Sequence, residues 1–166
     1  MLKGRKMLFC LLAGLLVVTG CSSASSTTPE QVQEESEQIF FENMDAGIKI
    51  YEAPNWTLEQ EVFSKNLNAT FKYETLKAIV SVIPSEKTME QIKTELQLGD
   101  GLITVLDEND NFFSFHTNQK ESIRSDLFLD HDYGKTLIVT FMSPSEDFSS
   151  YRGEIEQFKE NIKLTQ

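Results

Sequence analysis

Apolar and polar residues alternate with a period of two over much of the chain after residue 38, which predicts β-strands with one buried face. The segment Ala78–Ile83 is instead almost entirely apolar, which predicts a strand in the interior of a sheet. Other strands are predicted at Ile39–Phe41, Ile48–Glu52, Trp56–Val62, Thr70–Tyr73, Leu102–Leu106, Phe112–His116, Ile123–Leu129 and Leu137–Met142. Polar turns separate the last four, so these strands should form two hairpins and an antiparallel meander.

Two further segments have helical spacing. Thr88 and Gln91 match a capping box, and the helix that they begin should end near Gly99. The predicted apolar face of this helix holds Met89, Ile92 and Leu96. A second apolar stripe predicts a terminal helix packed against a sheet, and its residues are Phe148, Tyr151, Ile155, Phe158 and Ile162. The order of elements predicts an α+β fold in which two main helices pack on a mostly antiparallel sheet.

The first twenty residues have the composition of an export signal. Lys3, Arg5 and Lys6 form a positively charged start, and Met7–Thr19 is an apolar stretch. Such a stretch spans roughly 20 Å as a helix, whereas the hydrocarbon core of a bilayer is about 30 Å thick. A cleaved secretory signal is therefore favoured over a permanent membrane-spanning helix.

The junction Val18-Thr19-Gly20-Cys21 resembles the lipobox of bacterial lipoproteins, with small residues ahead of the cysteine. The resemblance implies cleavage between Gly20 and Cys21 and a diacylglycerol on the Cys21 thiol. Acyl chains such as palmitate would then hold the protein to the extracytoplasmic face of the cell membrane. Two or more chains anchor stably, because each buried methylene contributes about 0.8 kcal/mol. The alternative is an ordinary cleaved signal that ends by chance at a cysteine.

The segment after Cys21 contains few residues that could be buried. Ser22–Pro29 is rich in serine and threonine, and a run rich in Glu and Gln follows it to Glu37. A flexible tether is expected, which would hold the domain roughly 20–25 Å from the membrane on random-coil scaling. The predicted organisation is a signal peptide over residues 1–20, a lipidated cysteine and tether over 21–37, and a single α+β domain over 38–166.

Charge and cysteine content narrow the classes of partner. The first twenty residues hold three of the 15 basic residues and no acidic one, so the remainder has 12 basic and 26 acidic residues and a net charge of −14. Such a domain should repel nucleic acid and, as a whole, anionic membrane surfaces. Cys10 and Cys21 are the only cysteines, so the body of the chain has neither a disulfide nor a thiolate metal site.

The predicted domain resembles the PsbP-like group of small α+β proteins. The features in common are the strand Gly47-Ile48-Lys49-Ile50-Tyr51, the Pro54 and Trp56 that follow it, and the terminal segment Phe158-Lys159-Glu160-Asn161-Ile162. The likeness extends in order over residues 39–164. It implies a binding or assembly module, and it carries no functional residue over to this chain. Trp56 is expected in the core, as is usual for aromatic side chains.

Asp107, Asn109 and Asn111 are spaced like the start of a calcium-binding loop. That loop also requires Gly at its sixth position and Glu at its twelfth, where this chain has Phe112 and Asn118. A polar hairpin turn is therefore favoured over a calcium site.

His116 together with Asp130-His131-Asp132 suggests a second possible metal site. Adjacent residues on an extended strand point to opposite faces, so these three cannot easily share one ion with His116. A solvated turn is favoured, and no metal or other cofactor is expected.

The remaining candidates for catalysis are serines and paired acids. No Gly-x-Ser-x-Gly elbow is present, although a triad that uses Ser114 or Ser143 stays open. Glu59 and Glu61 are predicted on one face of a strand, opposite Trp56, Leu58 and Val62, where they are more simply an exposed polar face than a hydrolytic pair.

These patterns favour a non-enzymatic binding or accessory module that meets an unidentified protein or peptide partner in the cell envelope. A second hypothesis is an envelope hydrolase or stress factor whose site the sequence does not reveal. A deep pocket lined by titratable groups would favour it. A third hypothesis is an immunity or exclusion lipoprotein that binds a cationic peptide, and it is motivated by the acidity.

Overall fold

A computed structural model describes residues 38–98 and 101–166, so the predicted signal peptide, Cys21 and most of the tether lie outside the described residues. Seven strands form the large sheet: β3 (Thr57–Phe63), β4 (Leu67–Tyr73), β5 (Leu76–Ile83), β6 (Ile103–Asn109), β7 (Phe112–Thr117), β8 (Ile123–Asp132) and β9 (Lys135–Pro144). The small sheet contains β1 (Ile39–Asn43), β2 (Ile48–Tyr51) and β10 (Ile162–Leu164). The helices are α1 (Met89–Glu95) and α2 (Arg152–Glu160), and a 3₁₀ turn, Phe148–Tyr151, precedes α2. Within the described ranges, no helix has the length and apolar character needed to cross a membrane.

The large sheet has the strand order β3-β4-β5-β9-β8-β7-β6, and all of its neighbouring strands are antiparallel. The predicted α+β class, the interior position of β5 and the meander from β6 to β9 are confirmed. Both predicted hairpins are present, but their strands run further than the apolar segments, which leaves turns of two residues. In the second turn Tyr133 and Gly134 have φ of 52° and 69°, the left-handed conformation that matches the twist of paired strands.

Each face of the large sheet carries its own core. The α2 face is covered by the 3₁₀ turn and α2, and its core is built around stacked aromatic rings. The Phe158 ring lies 4.4 Å from Trp56, 5.5 Å from Phe71 and 5.9 Å from Phe141, measured between centroids. Trp56 is buried in this core, as predicted. Aromatic pairs at these distances stabilise beyond the area that they bury.

The opposite face, the α1 face, is covered only in part. Met89 and Ile92 of α1 pack on a second apolar cluster, whose sheet residues are Phe113, Phe115, Leu127, Leu129 and Ile138. These residues belong to β7, β8 and β9. Because α1 has only seven residues, it leaves the neighbouring area over β4, β5 and β9 uncovered by a helix.

The N-terminal end of α1 lies where the sequence predicts it, whereas the C-terminal end comes earlier than predicted. The capping box is confirmed, since Thr88 Oγ1 accepts from Gln91 N at 3.3 Å and Gln91 Oε1 accepts from Thr88 N at 2.9 Å. The predicted stop, Gly99, lies outside the described residues. The helix ends earlier, where Gln97 takes a φ of 55° and Leu98 N donates to Lys93 O. Leu96 was predicted on the apolar face, but it is 53% exposed.

The terminal helix is shorter than its apolar stripe predicts. It ends at Glu160, and Ile162 is the first residue of β10, where it pairs with Ile50 of β2. Asn161 holds this change of direction, because its Nδ2 donates to Glu52 O at 2.8 Å and its carbonyl accepts from Tyr51 N at 2.9 Å. Ile162 is buried in either conformation, so apolar spacing alone could not distinguish helix from strand.

The predicted faces of β3 are wrong, because the strand contains a β-bulge between Leu58 and Gln60. Leu58 pairs with Phe71 on the α2 face, whereas Val62 pairs with Asn68 on the α1 face. An extra residue in one strand reverses the side to which later side chains point. A second bulge lies in β6, between Val105 and Asp107. Both strands at the edges of the large sheet are therefore bulged.

Lys93 connects α1 to β6. Its Nζ lies 2.6 Å from Glu108 Oε1 and 3.0 Å from Glu90 Oε1. The hydrogen bond to Glu108, followed by the one to Glu90, raises the pKa of Lys93 above its usual 10.5. A raised pKa in the folded state means that the ammonium contributes stability fully below pH 10.5 and loses that contribution as the pH rises through the folded value.

We expect Lys93→Met to lower the free energy of unfolding at neutral pH by less than about 1 kcal/mol, because both carboxylate partners are solvated. The difference between the wild type and the variant should shrink above pH 10.5 and then vanish. Urea unfolding between pH 7 and pH 12 measures it. Lys120→Met alters an exposed lysine and should show no such pH dependence. If the difference in unfolding free energy between the wild type and Lys93→Met stayed constant to pH 12, it would not come from the charge of Lys93.

Candidate functional site

The uncovered part of the α1 face forms a groove with a volume of about 520 Å³. This volume lies within the range of small-molecule sites. Its apolar lining residues are Ile79, Ile83, Ile92, Leu96, Leu98, Phe115, Ile138 and Met142. Its neutral polar ones are Asn66, Asn68, Ser81, Thr117, Ser125 and Thr140. Among the described residues, Glu95 is the one charged residue in this lining.

The floor of the groove follows from the pleat of β5 and β9. Ile79 pairs with Thr140 and Ser81 pairs with Ile138, so these four side chains lie on the same face of the sheet. The other set of residues on the two strands fills the α2-face core. Both faces of β5 and β9 are thus largely apolar, and only one of them is fully covered.

The groove adjoins a second, more polar cavity of about 450 Å³, which we call the vestibule. Asn66, Ile83 and Glu95 line both spaces. The vestibule also receives Lys65 from the β3–β4 turn and Lys87 from the segment before α1. Lys87 Nζ forms an ion pair with Glu95, whereas Lys65 has no carboxylate partner within residues 38–98 and 101–166.

The side-chain oxygen of Asn66 is exceptional in its hydrogen bonding. Asn66 Oδ1 is buried and accepts no hydrogen bond from any residue in the described part of the chain. Nearly all buried polar atoms in proteins have a partner, and an unpartnered one costs about 1–3 kcal/mol. Asn66 lines both the groove and the vestibule, and a rotation of its side chain would present this acceptor to a ligand that donates a hydrogen bond.

The groove is poorly equipped for acid–base chemistry. Within residues 38–98 and 101–166, Glu95 is its sole titratable lining residue, and the ion pair with Lys87 already engages that carboxylate. General acid–base catalysis requires a free titratable group within reach of the substrate.

The residues of the calcium-like pattern lie at the tip of the first hairpin. Asp107 and Asn109 are in β6, and Asn111 is in the turn. Their side chains accept from nearby backbone, since Asp107 Oδ1 binds Glu108 N at 2.8 Å and Asn109 Oδ1 binds Asn111 N at 2.9 Å. Across the described residues, no group of three or more His, Cys, Asp or Glu side chains is arranged to hold a metal ion.

The two histidines are not brought together. His116 pairs with Arg124 in β7 and β8, whereas His131 pairs with Thr136 in β8 and β9. Arg124 and His131 are thus separated along β8 by roughly 24 Å, at about 3.4 Å per residue. Asp130 and Asp132 accept from the backbone amides of the residues that follow them, as in a turn.

Ser114 belongs to a buried polar network and not to a triad. Its Oγ donates to Asp126 Oδ1 at 2.6 Å, and Arg124 binds the same carboxylate through Nε and Nη2 at 3.0 and 3.1 Å. The guanidinium also stacks over Phe148 at 4.5 Å. Ser143 Oγ donates to the carbonyl of Pro144, so neither serine hydrogen-bonds a histidine.

Glu59 and Glu61 do not form a pair. Glu59 makes salt bridges to Lys72 and Lys77 at 3.8 and 3.2 Å, whereas Glu61 accepts from Asn43 Nδ2 at 2.7 Å. The prediction that they share one strand face is wrong, because the bulge in β3 turns them apart.

Sequence reasoning did not identify the groove residues. One signal was available, since β5 and β9 carry apolar residues at both sets of alternating positions, which indicates two buried faces. A helix of two turns is too short to cover a sheet of seven strands. The two observations together predict an uncovered apolar area.

No protein-family model matches the chain, and no curated protein matches it. Similar solved structures include a cyanobacterial PsbP from Synechocystis, with 11% identity over 89% of this chain and 98% of that one and a TM-score of 0.48. The Ran-binding protein Mog1p of Saccharomyces cerevisiae has 9% identity over 78% of this chain and 96% of that one, at a TM-score of 0.48. A Bacteroides thetaiotaomicron protein has 11% identity over 78% of this chain, at a TM-score of 0.47, and this chain spans 49% of its length. These likenesses concern overall fold, and no residue role follows from them.

Proposed function

We propose that this protein is a lipoprotein anchored through Cys21 at the extracytoplasmic face of the cell membrane, and that its α+β domain is a non-enzymatic binding module. The lipobox-like junction supports the anchor. The groove of about 520 Å³ on the α1 face supports the binding role, because it is largely apolar and the single titratable residue of its described lining is already ion-paired. This last observation carries the proposal.

The anchor is tested by Cys21→Ser in the producing bacterium. We expect the wild-type protein to sediment with membranes and to carry acyl chains, and the variant to carry none, because the variant has no thiol to acylate. Mass spectrometry of the wild-type protein should show a modified Cys21 at its N-terminus. Cys10→Ser is the matched control, and it should leave the membrane fraction unchanged. An unmodified thiol at Cys21 would refute the anchor.

The groove is tested with the neutral apolar fluorophore N-phenyl-1-naphthylamine. We expect one molecule to bind per protein, and Thr140→Trp to weaken binding at least tenfold because an indole on the groove floor fills the space. Thr104→Trp makes the same change on β6, on the opposite face of the sheet, and should bind normally. Circular dichroism and thermal unfolding establish that both variants are folded. Equal binding by both variants would remove the groove from the proposal.

A further inference from the structure

The groove and the vestibule adjoin, since Asn66, Ile83 and Glu95 line both, and they provide two chemical environments. Asn66 and Glu95 stand at the junction, with apolar side chains on one side and the two lysines on the other. A ligand that fills both spaces needs an apolar part and a polar part. The site therefore fits an amphiphile, and this inference rests on the binding role proposed for the groove.

The shape of the groove favours a single elongated chain. Its sheet residues come from five adjacent strands, from Asn68 on β4 to Phe115 on β7. Five strands span roughly 19 Å at the usual spacing between neighbours. That distance suits one extended long-chain acyl group, and a volume of about 520 Å³ leaves little room for a second.

The vestibule favours an anionic head group. The domain as a whole is acidic, yet the described lining of this cavity holds Lys65 and Lys87 against the single carboxylate of Glu95. Lys65 projects from the β3–β4 turn without a carboxylate partner among the described residues. Glu86, next to Lys87 in the chain, is exposed and does not line this cavity, so the two lysines are the charged groups besides Glu95 that face it among the described residues.

Asn66 adds a requirement for a hydrogen-bond donor on the ligand. Its Oδ1 is a buried acceptor without a partner in the described part of the chain, and Asn66 lines both spaces, so a rotation of its amide would present this atom to the ligand. A phosphate or carboxylate in its ionised form cannot donate. A hydroxyl group beside the anion can, and it would satisfy this atom.

We propose that the site binds a lysophospholipid with one acyl chain, an anionic phosphodiester and free hydroxyl groups. The acyl chain lies on the floor formed by Ile79 and Thr140. The phosphodiester accepts from Lys65 in the vestibule, and a hydroxyl donates to Asn66 Oδ1. A membrane tether would hold this site close to the bilayer from which such a single-chain lipid is released.

The experiment uses the chain from residue 21 onward carrying Cys21→Ser, which has neither the apolar signal segment nor acyl chains of its own. Binding of palmitoyl lysophosphatidylglycerol, palmitoyl lysophosphatidylcholine and palmitate is measured by displacement of N-phenyl-1-naphthylamine, each lipid below its micellar concentration. We expect lysophosphatidylglycerol to bind at least tenfold more tightly than the other two. Lysophosphatidylcholine has the same phosphodiester and one free hydroxyl, but the lysines of the vestibule repel its quaternary ammonium, and palmitate has no hydroxyl donor.

Two variants assign the contacts. Lys65→Gln should weaken the binding of lysophosphatidylglycerol about tenfold, which is the scale of one charge-assisted contact. The binding of the naphthylamine should not change. Asn66→Leu should weaken the binding of the same lipid and leave the affinity for palmitate unchanged. Lys163→Gln, an exposed lysine on β10, is the matched control for charge and should change nothing.

The outcomes separate the two proposals. Equal affinity for the three lipids, or no effect of Lys65→Gln, overturns the lysophospholipid assignment. If none of the three lipids displaces the naphthylamine, while naphthylamine binding still depends on Thr140, the lysophospholipid assignment is overturned too. The binding groove then remains supported. Loss of the dependence on Thr140 overturns the binding groove itself.

Discussion

Replacing Phe158 with alanine is expected to lower the free energy of unfolding by about 3–5 kcal/mol, which corresponds to a fall in melting temperature on the order of 10 °C or more. Phe158 is almost fully buried, and its ring contacts those of Trp56, Phe71 and Phe141. Truncation removes the contact between α2 and the sheet at its centre and leaves a cavity bounded by rigid rings. Urea unfolding followed by tryptophan fluorescence measures the loss directly, since Trp56 is the only tryptophan.

Phe63→Ala is the matched control. Phe63 is 44% exposed on the edge strand β3, so the same chemical change there should cost less than about 1 kcal/mol. Similar losses for the two variants would mean that the aromatic cluster does not carry the stability that its packing indicates.

Replacing Gly47 with alanine is expected to cost about 2–4 kcal/mol. Gly47 has a φ of 68°, and a left-handed conformation costs other residues roughly 1–2 kcal/mol. An added Cβ would also lie 2.5 Å from the carbonyl oxygen of Thr165 and would collide with Lys135 Nζ. That ammonium donates to Ala46 O at 3.0 Å and Thr165 O at 3.2 Å, so its displacement breaks two further bonds. Thermal and urea unfolding measure the effect.

Gly134→Ala separates the cost of the left-handed backbone from the cost of the steric clash at Gly47. Gly134 has nearly the same φ, 69°, but an added Cβ would meet nothing within 4 Å. Its cost should be about 1 kcal/mol, from backbone conformation alone. If both variants lost the same stability, the contact between the β1–β2 turn and the chain's C-terminal residues would contribute nothing.

The elements that the sequence predicted correctly depend on local information. The capping box at Thr88 is complete within four residues, and the apolar run of β5 is legible by itself. The hairpin after β8 needs only the Tyr133-Gly134 turn between two apolar strands. In each of these cases the residues that decide the structure are close neighbours in the chain.

The errors occur where distant segments decide the outcome. Ile162 has the spacing of a helix, but β2, more than a hundred residues earlier, offers it a strand partner. The bulge at Leu58 is set by how β3 pairs with β4, and it reverses the faces of the residues after it. Gln60, which interrupts the apolar alternation, was the one local sign of that irregularity.

The candidate site could not be predicted for a related reason. Lys65, Lys87 and Glu95 come from a turn, a connecting segment and a helix, and only the fold brings them to one cavity. The groove itself depends on the area that α1 does not cover, which no single segment encodes. The proposed anchor at Cys21 differs from the groove, because one short sequence motif predicts it. Its test is a chemical analysis of that residue.

The bulges in β3 and β6 have a consequence for behaviour in crowded conditions. A regular, open edge strand is a template for intermolecular pairing and so for aggregation, and a bulge disrupts the ladder that such pairing needs. Proteins tethered to one surface meet one another far more often than proteins free in solution. Irregular edges on both sides of the sheet would keep such neighbours as separate molecules, even at high density on a bilayer.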